Sequence, residues 1–141
     1  MLNKLFITLS LIFLCAACSK IKSTEKKMGG EWTIYTMKVT KSNGLSYYYE
    51  TTGTFNFSEI NNHAGKYALN MTYITPTGAV SKNESGGFIL KEKGEYFDLY
   101  RDNPDGSITM IPDARILLIT KDDIEMLYQD NNESFWFILE K

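Results

Sequence analysis

Apolar and polar residues alternate along most of the chain beyond residue 29, in short stretches that suit a pleated strand. In residues 66–74, one face carries only apolar and aromatic side chains, namely Tyr67, Leu69, Met71 and Tyr73. Residues 124–130 repeat the pattern with Ile124, Met126 and Tyr128 on one face. A period of two predicts β-strands with one face turned toward a core. No stretch of helical length beyond residue 29 shows a sustained 3.6-residue period.

Turn-forming residues separate these stretches at intervals of about 8–12 residues, a spacing typical of a β-sandwich or barrel. The turns are Asn43-Gly44, Thr75-Pro76-Thr77-Gly78, Lys93-Gly94, Asn103-Pro104-Asp105-Gly106, Lys121-Asp122-Asp123 and Asp130-Asn131-Asn132. We therefore expect an all-β fold, a single antiparallel meander of eight or nine strands. Such a meander removes its exposed edges most simply by closing into a barrel.

Two stretches depart from the alternation and are apolar on both faces. They are Ile116-Leu117-Leu118-Ile119 and Phe135-Trp136-Phe137-Ile138-Leu139. An exposed apolar surface of this extent is usually covered, either by another part of the chain or by a partner protein. We favour cover from within the chain, by a short helix or by residues 58–65.

The first eighteen residues form an export signal. Lys4 supplies a positive charge, residues 5–14 form an apolar core, and Ala16-Ala17 directly precede Cys18. The apolar core is shorter than the roughly 20 residues that a membrane-spanning helix needs. We expect residues 1–17 to be removed as a signal peptide.

The segment ending at Cys18 resembles the lipobox of bacterial lipoproteins, although Cys15, not the usual leucine, lies three places before Cys18. The resemblance implies that Cys18 is the lipid attachment site, acylated for example with palmitate. The alternative is an ordinary secretory signal cleaved nearby. Ser19 and Lys20 follow, with no aspartate, and this resembles the sorting pattern for the outer membrane. We expect an anchored protein that faces the periplasm.

Residues 18–28 combine the lipidated cysteine with a polar segment that lacks aromatic residues. We expect this segment to be a flexible linker. Its four lysines and one glutamate, Glu25, give it a charge of +3. The lysines act as a solvated spacer, as a contact to anionic lipid headgroups, or as both.

Residues 29–141 suffice for one domain with an apolar core. Both cysteines of the chain precede residue 19, so no disulfide can form within this domain. Its ten basic and sixteen acidic residues give a net charge of −6. A surface this acidic excludes nucleic acid as a partner, because phosphate binding needs a basic face.

The domain resembles the lipocalins in several short motifs. Gly30-Glu31-Trp32 is similar to their Gly-x-Trp, and residues 52–57 with 65–69 resemble strands of small lipocalin-like lipoproteins common in Bacteroidetes. Residues 119–128 and 135–141 resemble the last hairpin of those proteins. The resemblance implies a calycin-like barrel over residues 29–141, with Trp32 sealing one end.

Two features depart from the lipocalin pattern. The nearest approach to the Thr-Asp-x-Arg motif is Pro112-Asp113-Ala114-Arg115, which lacks the threonine. The sequence given also ends at the last predicted strand, without the helix that flanks larger lipocalins. The resemblance does not identify a ligand, because function belongs to sites and not to folds.

The aromatic residues suggest where a ligand binds. An eight-stranded barrel is just wide enough to be filled by side chains or to hold one small ligand. Our candidate ligand-binding residues are Trp32, Tyr67, Leu69, Met71, Tyr73, Met126 and Tyr128. The alternative is that these residues only fill the core.

No catalytic or metal-binding constellation stands out. His63 is the only histidine, and no second histidine or cysteine stands at metal-ligand spacing from it. The acidic stretches 102–106 and 130–133 lack the ligand spacing of a calcium loop and are better interpreted as turns. We expect no enzyme activity, no metal and no cofactor.

The leading hypothesis is a lipid-anchored lipoprotein whose barrel binds a small hydrophobic or amphipathic ligand without catalysis. The alternative is an interaction module, a side-chain-filled barrel that docks an envelope protein through residues 116–119 and 135–139. An inhibitor of a secreted enzyme is a third class.

Overall fold

The structure is a computed structural model that describes residues 20–141. The predicted signal peptide, residues 1–17, and the predicted lipid attachment site Cys18 lie outside the described residues.

Nine antiparallel strands follow one another along the chain, as the alternating pattern predicts. They are β1 Gly30–Thr40, β2 Ser46–Tyr49, β3 Thr51–Asn61, β4 Ala64–Thr75, β5 Gly78–Lys91, β6 Tyr96–Asp102, β7 Ile108–Ile119, β8 Asp123–Asp130 and β9 Glu133–Glu140. A single 3₁₀ turn, Glu92–Gly94, connects β5 to β6. All six predicted turns fall between these strands.

The sheet closes into a barrel because β1 pairs with β9 as well as with β2 and β3. β2 and β3 pair with consecutive parts of β1, as in Lys38 opposite Tyr48 and Trp32 opposite Phe55. Since only Glu50 separates them, β2 and β3 act as one bent strand. The barrel therefore has eight strands around its circumference, and the predicted all-β meander and its closure are confirmed.

Two glycines permit close approach between neighbouring strands. A Cβ atom on Gly86 would lie 1.9 Å from the carbonyl oxygen of Tyr100, and one on Gly53 would lie 2.1 Å from that of Asn70. Such glycines let a small barrel bend sharply, because any side chain there would collide with backbone.

The interior is packed with aromatic rings. Phe55 stacks on Phe57 with ring centroids 4.7 Å apart, and Tyr128 stacks on Phe137 at 5.8 Å. Phe55 and Phe137 meet edge to face at 6.2 Å, which joins the two stacks across the barrel. Burial of these rings, together with the aliphatic residues of the same core, supplies the apolar driving force for folding.

Residues 20–28 form a helix, and our expectation of a flexible linker there is wrong. The helix buries Ile21, Thr24 and Met28, which share one face, against one end of the barrel. The indole N–H of Trp32 donates to the carbonyl oxygen of Met28 at 2.8 Å. So short and polar a helix is not stable alone, and its contacts with the barrel stabilise it.

The two stretches that are apolar on both faces have different surroundings. Trp136 is half-buried, and side chains of neighbouring strands cover part of it. Its N–H donates to Glu125 Oε1 at 2.8 Å, and Lys38 Nζ lies 5.1 Å from its ring. Glu125 and Lys38 belong to the adjacent strands β8 and β1. The cover of Trp136 therefore comes from within the chain, as expected, but from strands and not from a helix or from residues 58–65. By contrast, Leu117 and Leu118 remain 44% and 49% exposed, beside the helix. In the described part of the chain, no helix is both long and apolar enough to cross a bilayer.

Candidate functional site

The two ends of the barrel differ. One end, which we call the closed end, carries helix 20–28 together with the β3–β4, β5–β6 and β7–β8 connections. There the backbone N–H of His63 donates to Glu25 Oε1 at 2.5 Å, and Lys20 pairs with Glu95. The other end, which we call the mouth, carries the remaining four hairpins.

Four charged side chains form a buried ionic cluster in the mouth half of the barrel. They are Lys82 and Glu84 of β5, Arg101 of β6 and Asp130 of β8, and their side chains are only 7–18% exposed. Arg101 Nη1 lies 2.6 Å from Asp130 Oδ2 and 2.9 Å from Glu84 Oε1. Lys82 Nζ lies 3.1 Å from Glu84 Oε1 and 3.5 Å from Asp130 Oδ2. We refer to these four residues as the ionic cluster.

Strand geometry places the ionic cluster inside the barrel. On β5, Lys82 and Glu84 have the same parity as the buried Phe88 and Leu90, so all four point inward. In the β4–β5 pairing, Lys82 lies opposite Met71, which is one of the predicted ligand-binding residues.

The ionic cluster escaped prediction from the sequence because residues 78–85 are mostly polar and show no alternation. A usable signal was the parity that Lys82 and Glu84 share with Phe88, which continues the inward face toward the mouth. The ion pairs with Arg101 and Asp130 connect three different strands, so no pattern within a short stretch of sequence indicates them.

Two tyrosine hydroxyls are buried close to the ionic cluster. The hydroxyls of Tyr67 and Tyr128 have no hydrogen-bond partner among residues 20–141. Burial raises the pKa of both groups, and the negative charge of Glu84 raises the pKa further. Both hydroxyls are thus neutral donors at physiological pH. An unpaired buried hydroxyl costs about 1–3 kcal/mol, so a partner supplied by a ligand would be favourable.

Two aromatic rings of the barrel interior lie against Lys82 of the ionic cluster. Lys82 Nζ lies 4.4 Å from the ring centroid of Phe135 and 5.9 Å from that of Tyr128. The rings of Tyr128 and Phe135 are stacked at 5.4 Å. The mouth half of the barrel therefore combines ionic groups, neutral hydroxyl donors and aromatic faces within a small volume.

The rim of the mouth is also aromatic. Tyr49 and Tyr73 contact each other with ring centroids 5.4 Å apart. Beside them lies a surface pocket of about 570 Å³, lined by the triple tyrosine 47–49, Ile74 and Pro76 among others. A molecule with an aromatic body would meet apolar surface before it reached the ionic cluster.

The predicted ligand-binding residues fall into three groups. Tyr67, Leu69, Met71, Met126 and Tyr128 face the interior and are nearly fully buried. Tyr73 lies half-buried at the mouth, and Trp32 is fully buried toward the closed end. Six of the seven belong to one continuous buried core, and Tyr73 packs against it. Their role in binding a ligand stays a prediction.

Metal ligands do not gather in the described part of the chain, where no three His, Cys, Asp or Glu side chains cluster suitably. His63, the only histidine, lies at the closed end with its Nδ1 atom 2.9 Å from Glu25 Oε1. That pairing ties the β3–β4 connection to helix 20–28.

Alkaline pH is expected to destabilise the fold through Tyr67 and Tyr128. Their folded-state pKa values are raised above the unfolded value of about 10, so the unfolded state releases these protons first. Stability therefore falls as pH rises above 10, by up to about 1.4 kcal/mol per pH unit for each tyrosine. Urea unfolding at pH 9 and pH 11 should show a smaller loss in Tyr128→Phe than in the unsubstituted protein. Equal losses of stability in the two proteins would contradict a raised folded-state pKa for Tyr128.

Comparisons with known proteins show the fold. No protein-family model and no curated protein matches the sequence. Among solved structures, the chain is similar to a redesigned β-barrel, mFAP0, bound to DFHBI, with a TM-score of 0.55 and 11% identity over 81% of this chain and 98% of that one. It is also similar to a de novo designed fluorescence-activating β-barrel, with a TM-score of 0.51 and 11% identity over 82% and 94%. The chain is thus an antiparallel eight-stranded barrel, a shape compatible with small-molecule binding.

Proposed function

We propose that this protein is a lipid-anchored envelope lipoprotein of the lipocalin-like type that binds a small amphipathic molecule at the mouth of its barrel, without catalysis. The observation that carries the binding proposal is the pair of unpartnered hydroxyls, Tyr67 and Tyr128, buried beside the ionic cluster in the described part of the chain. The lipid anchor rests on the signal sequence and Cys18. Attachment to the outer membrane, facing the periplasm, rests on the residues that follow Cys18.

The chemistry of the mouth favours a ligand without net charge. The ionic cluster contains two cations and two anions, so their fields largely cancel for a molecule that carries one charge. A polar group that accepts hydrogen bonds would satisfy the tyrosine hydroxyls, while an aromatic body would stack against Tyr128 or Phe135. The ligand class is therefore a neutral or zwitterionic aromatic molecule with an acceptor at one end.

Entry of such a ligand requires the mouth to open, because the interior residues beneath the ionic cluster are nearly fully buried. Lys82 is the side chain best placed to move. Its stem is long and flexible, and its contacts of 3.1 and 3.5 Å are longer than the 2.9 and 2.6 Å contacts of Arg101. A ligand would displace the Lys82 side chain outward and leave the shorter contacts of Arg101 in place.

The mFAP0 barrel supports the proposal, because a protein of similar fold is bound to the small molecule DFHBI. That likeness concerns the barrel shape, and the residues named above are this chain's own.

Nile red, a neutral aromatic dye with a carbonyl acceptor, can test the binding proposal. We expect its fluorescence to rise on binding to the protein. The double variant Tyr67→Phe/Tyr128→Phe should bind it roughly 10–30-fold more weakly, because two hydrogen bonds of about 1 kcal/mol each are lost. The same variant should be at least as stable to urea, since it removes two unpaired buried hydroxyls.

Tyr100→Phe is the matched control, because Tyr100 lies on β6 with the opposite parity to Arg101 and points outward. Its affinity for Nile red should equal that of the unsubstituted protein. Absence of binding, or unchanged affinity in the double variant, would overturn the proposed site.

A further inference from the structure

We infer that the closed end of the barrel lies on an anionic membrane surface, through the outer face of helix 20–28 and the neighbouring Leu117-Leu118 pair. The mouth then points away from the bilayer. This inference rests on the proposed acylation of Cys18 and adds an orientation to it.

Helix docking brings the lipid attachment point close to the barrel. Only Ser19 stands between Cys18 and Lys20 in the sequence, and two residues of chain can span at most about 7 Å. A flexible linker over residues 18–28 would instead reach more than about 30 Å and would permit any orientation. The docked helix removes this freedom, because Met28 and Glu25 are held by Trp32 and His63.

The outward face of the helix is basic. Lys22, Ser23 and Lys26 are exposed, while the opposite face is buried on the barrel. Each basic residue near an anionic headgroup layer contributes about 1 kcal/mol of attraction. The helix therefore presents to the lipid surface the charge that anionic headgroups attract.

Exposed apolar side chains adjoin the first turn of the helix, at the edge formed by the exposed Lys20 and the buried Thr24. Lys20 and Thr24 of the helix line one surface pocket together with residues 116–119. Leu117 and Leu118 lie at this pocket and are about half exposed. Apolar side chains beside basic ones suit the interface of a membrane, where the apolar groups enter the acyl boundary and the lysines meet the headgroups.

The mouth carries the opposite charge. Glu50, Asp102 and Asp105 are exposed at this end, and hydrogen bonds from Ser107 lower the pKa of Asp105. An anionic surface would repel this end and attract the helix. The charge distribution thus favours one of the two possible orientations and leaves the mouth open to the solvent.

Fluorescence quenching by lipids can test the orientation. The full acylated protein, labelled at Ser23→Cys on the helix or at Thr77→Cys on the β4–β5 hairpin, would be reconstituted into vesicles of phosphatidylcholine and phosphatidylglycerol that contain doxyl-labelled lipid. We expect strong quenching at position 23 and little at position 77. Lys22→Gln/Lys26→Gln should weaken the contact of this face by about 30-fold, and quenching at position 23 should fall accordingly.

The possible outcomes separate the two proposals. Protein that does not float with any vesicle would overturn the lipid anchor of the proposed function. Protein that floats but shows equal quenching at both positions, or stronger quenching at position 77, would overturn the orientation alone. A photocrosslinker at Leu118 that captures an envelope protein in intact cells, without lipid quenching at position 23, would assign this face to a protein partner and overturn the inference.

Discussion

Replacement of Asp130 by alanine is expected to lower the free energy of unfolding by about 3 kcal/mol. The Asp130 side chain is 7% exposed and accepts contacts from both Arg101 and Lys82. Its loss leaves two buried cations with Glu84 as the only remaining anion of the ionic cluster. Breaking a buried ion pair by removing one partner costs about 3–5 kcal/mol, and we take the lower end because Arg101 and Lys82 retain some contact with water. Urea unfolding followed by circular dichroism would measure the loss.

An exposed ion pair provides the control for this prediction. Lys66 Nζ lies 2.7 Å from Glu59 Oε2, and both side chains are about two-thirds exposed. Lys66→Ala should therefore cost less than about 1 kcal/mol, because solvent screens an exposed pair. Comparable losses of unfolding free energy in Asp130→Ala and Lys66→Ala would mean that burial does not increase the contribution of the ionic cluster to stability.

A double variant separates stability from binding within the same cluster. Arg101→Met/Asp130→Leu replaces one buried pair with apolar residues and leaves the Lys82–Glu84 contact at 3.1 Å in place. Exchanges of this kind are often neutral or stabilising. A variant that stays folded but no longer binds Nile red would show that the ionic cluster serves the ligand and not the fold.

Trp32→Ala is expected to lower the free energy of unfolding by about 4 kcal/mol and to release helix 20–28 from the barrel. The tryptophan side chain is fully buried, and large-to-small exchanges of this kind cost about 3–5 kcal/mol. Its N–H also holds the carbonyl oxygen of Met28, the last helical residue. Amide hydrogen exchange of residues 20–28 should therefore become fast in the variant.

Trp32→Phe is the matched variant, because it keeps an aromatic ring but removes the indole N–H together with the rest of the five-membered ring. We expect a loss of about 2 kcal/mol, from the lost hydrogen bond and a small cavity, with partial loss of protection in the helix. Unchanged protection of residues 20–28 in Trp32→Ala would show that the helix is held by other contacts, such as those of Glu25 with His63.

Local sequence patterns predicted most of the barrel. The alternation of Tyr67, Leu69 and Met71 identified a strand and its inward face, because side chains in a strand point to opposite faces by geometry alone. Turns such as Asn131-Asn132 could also be predicted, because asparagine tolerates the positive φ angles that tight turns need. In the structure the two residues have φ angles of 51° and 64°.

The helix could not be predicted in the same way. Residues 20–28 contain only two buried apolar residues, Ile21 and Met28, and four lysines, a composition typical of a linker. The stabilising contacts come from Trp32, which the sequence placed at a sealed end, and from the distant His63. Tertiary contacts therefore decided the structure of this segment.

The sequence by itself determined an antiparallel barrel with aromatic interior residues and a tryptophan near its start, because these features depend on periodicity and turn chemistry over a few neighbouring residues. Only the tertiary structure decided that Lys82 and Glu84 meet Arg101 and Asp130, and that helix 20–28 closes the opposite end. The physical reason is that both arrangements join residues far apart along the chain. Strand pairing and helix docking bring them together, and no short stretch of sequence specifies which distant side chains then meet.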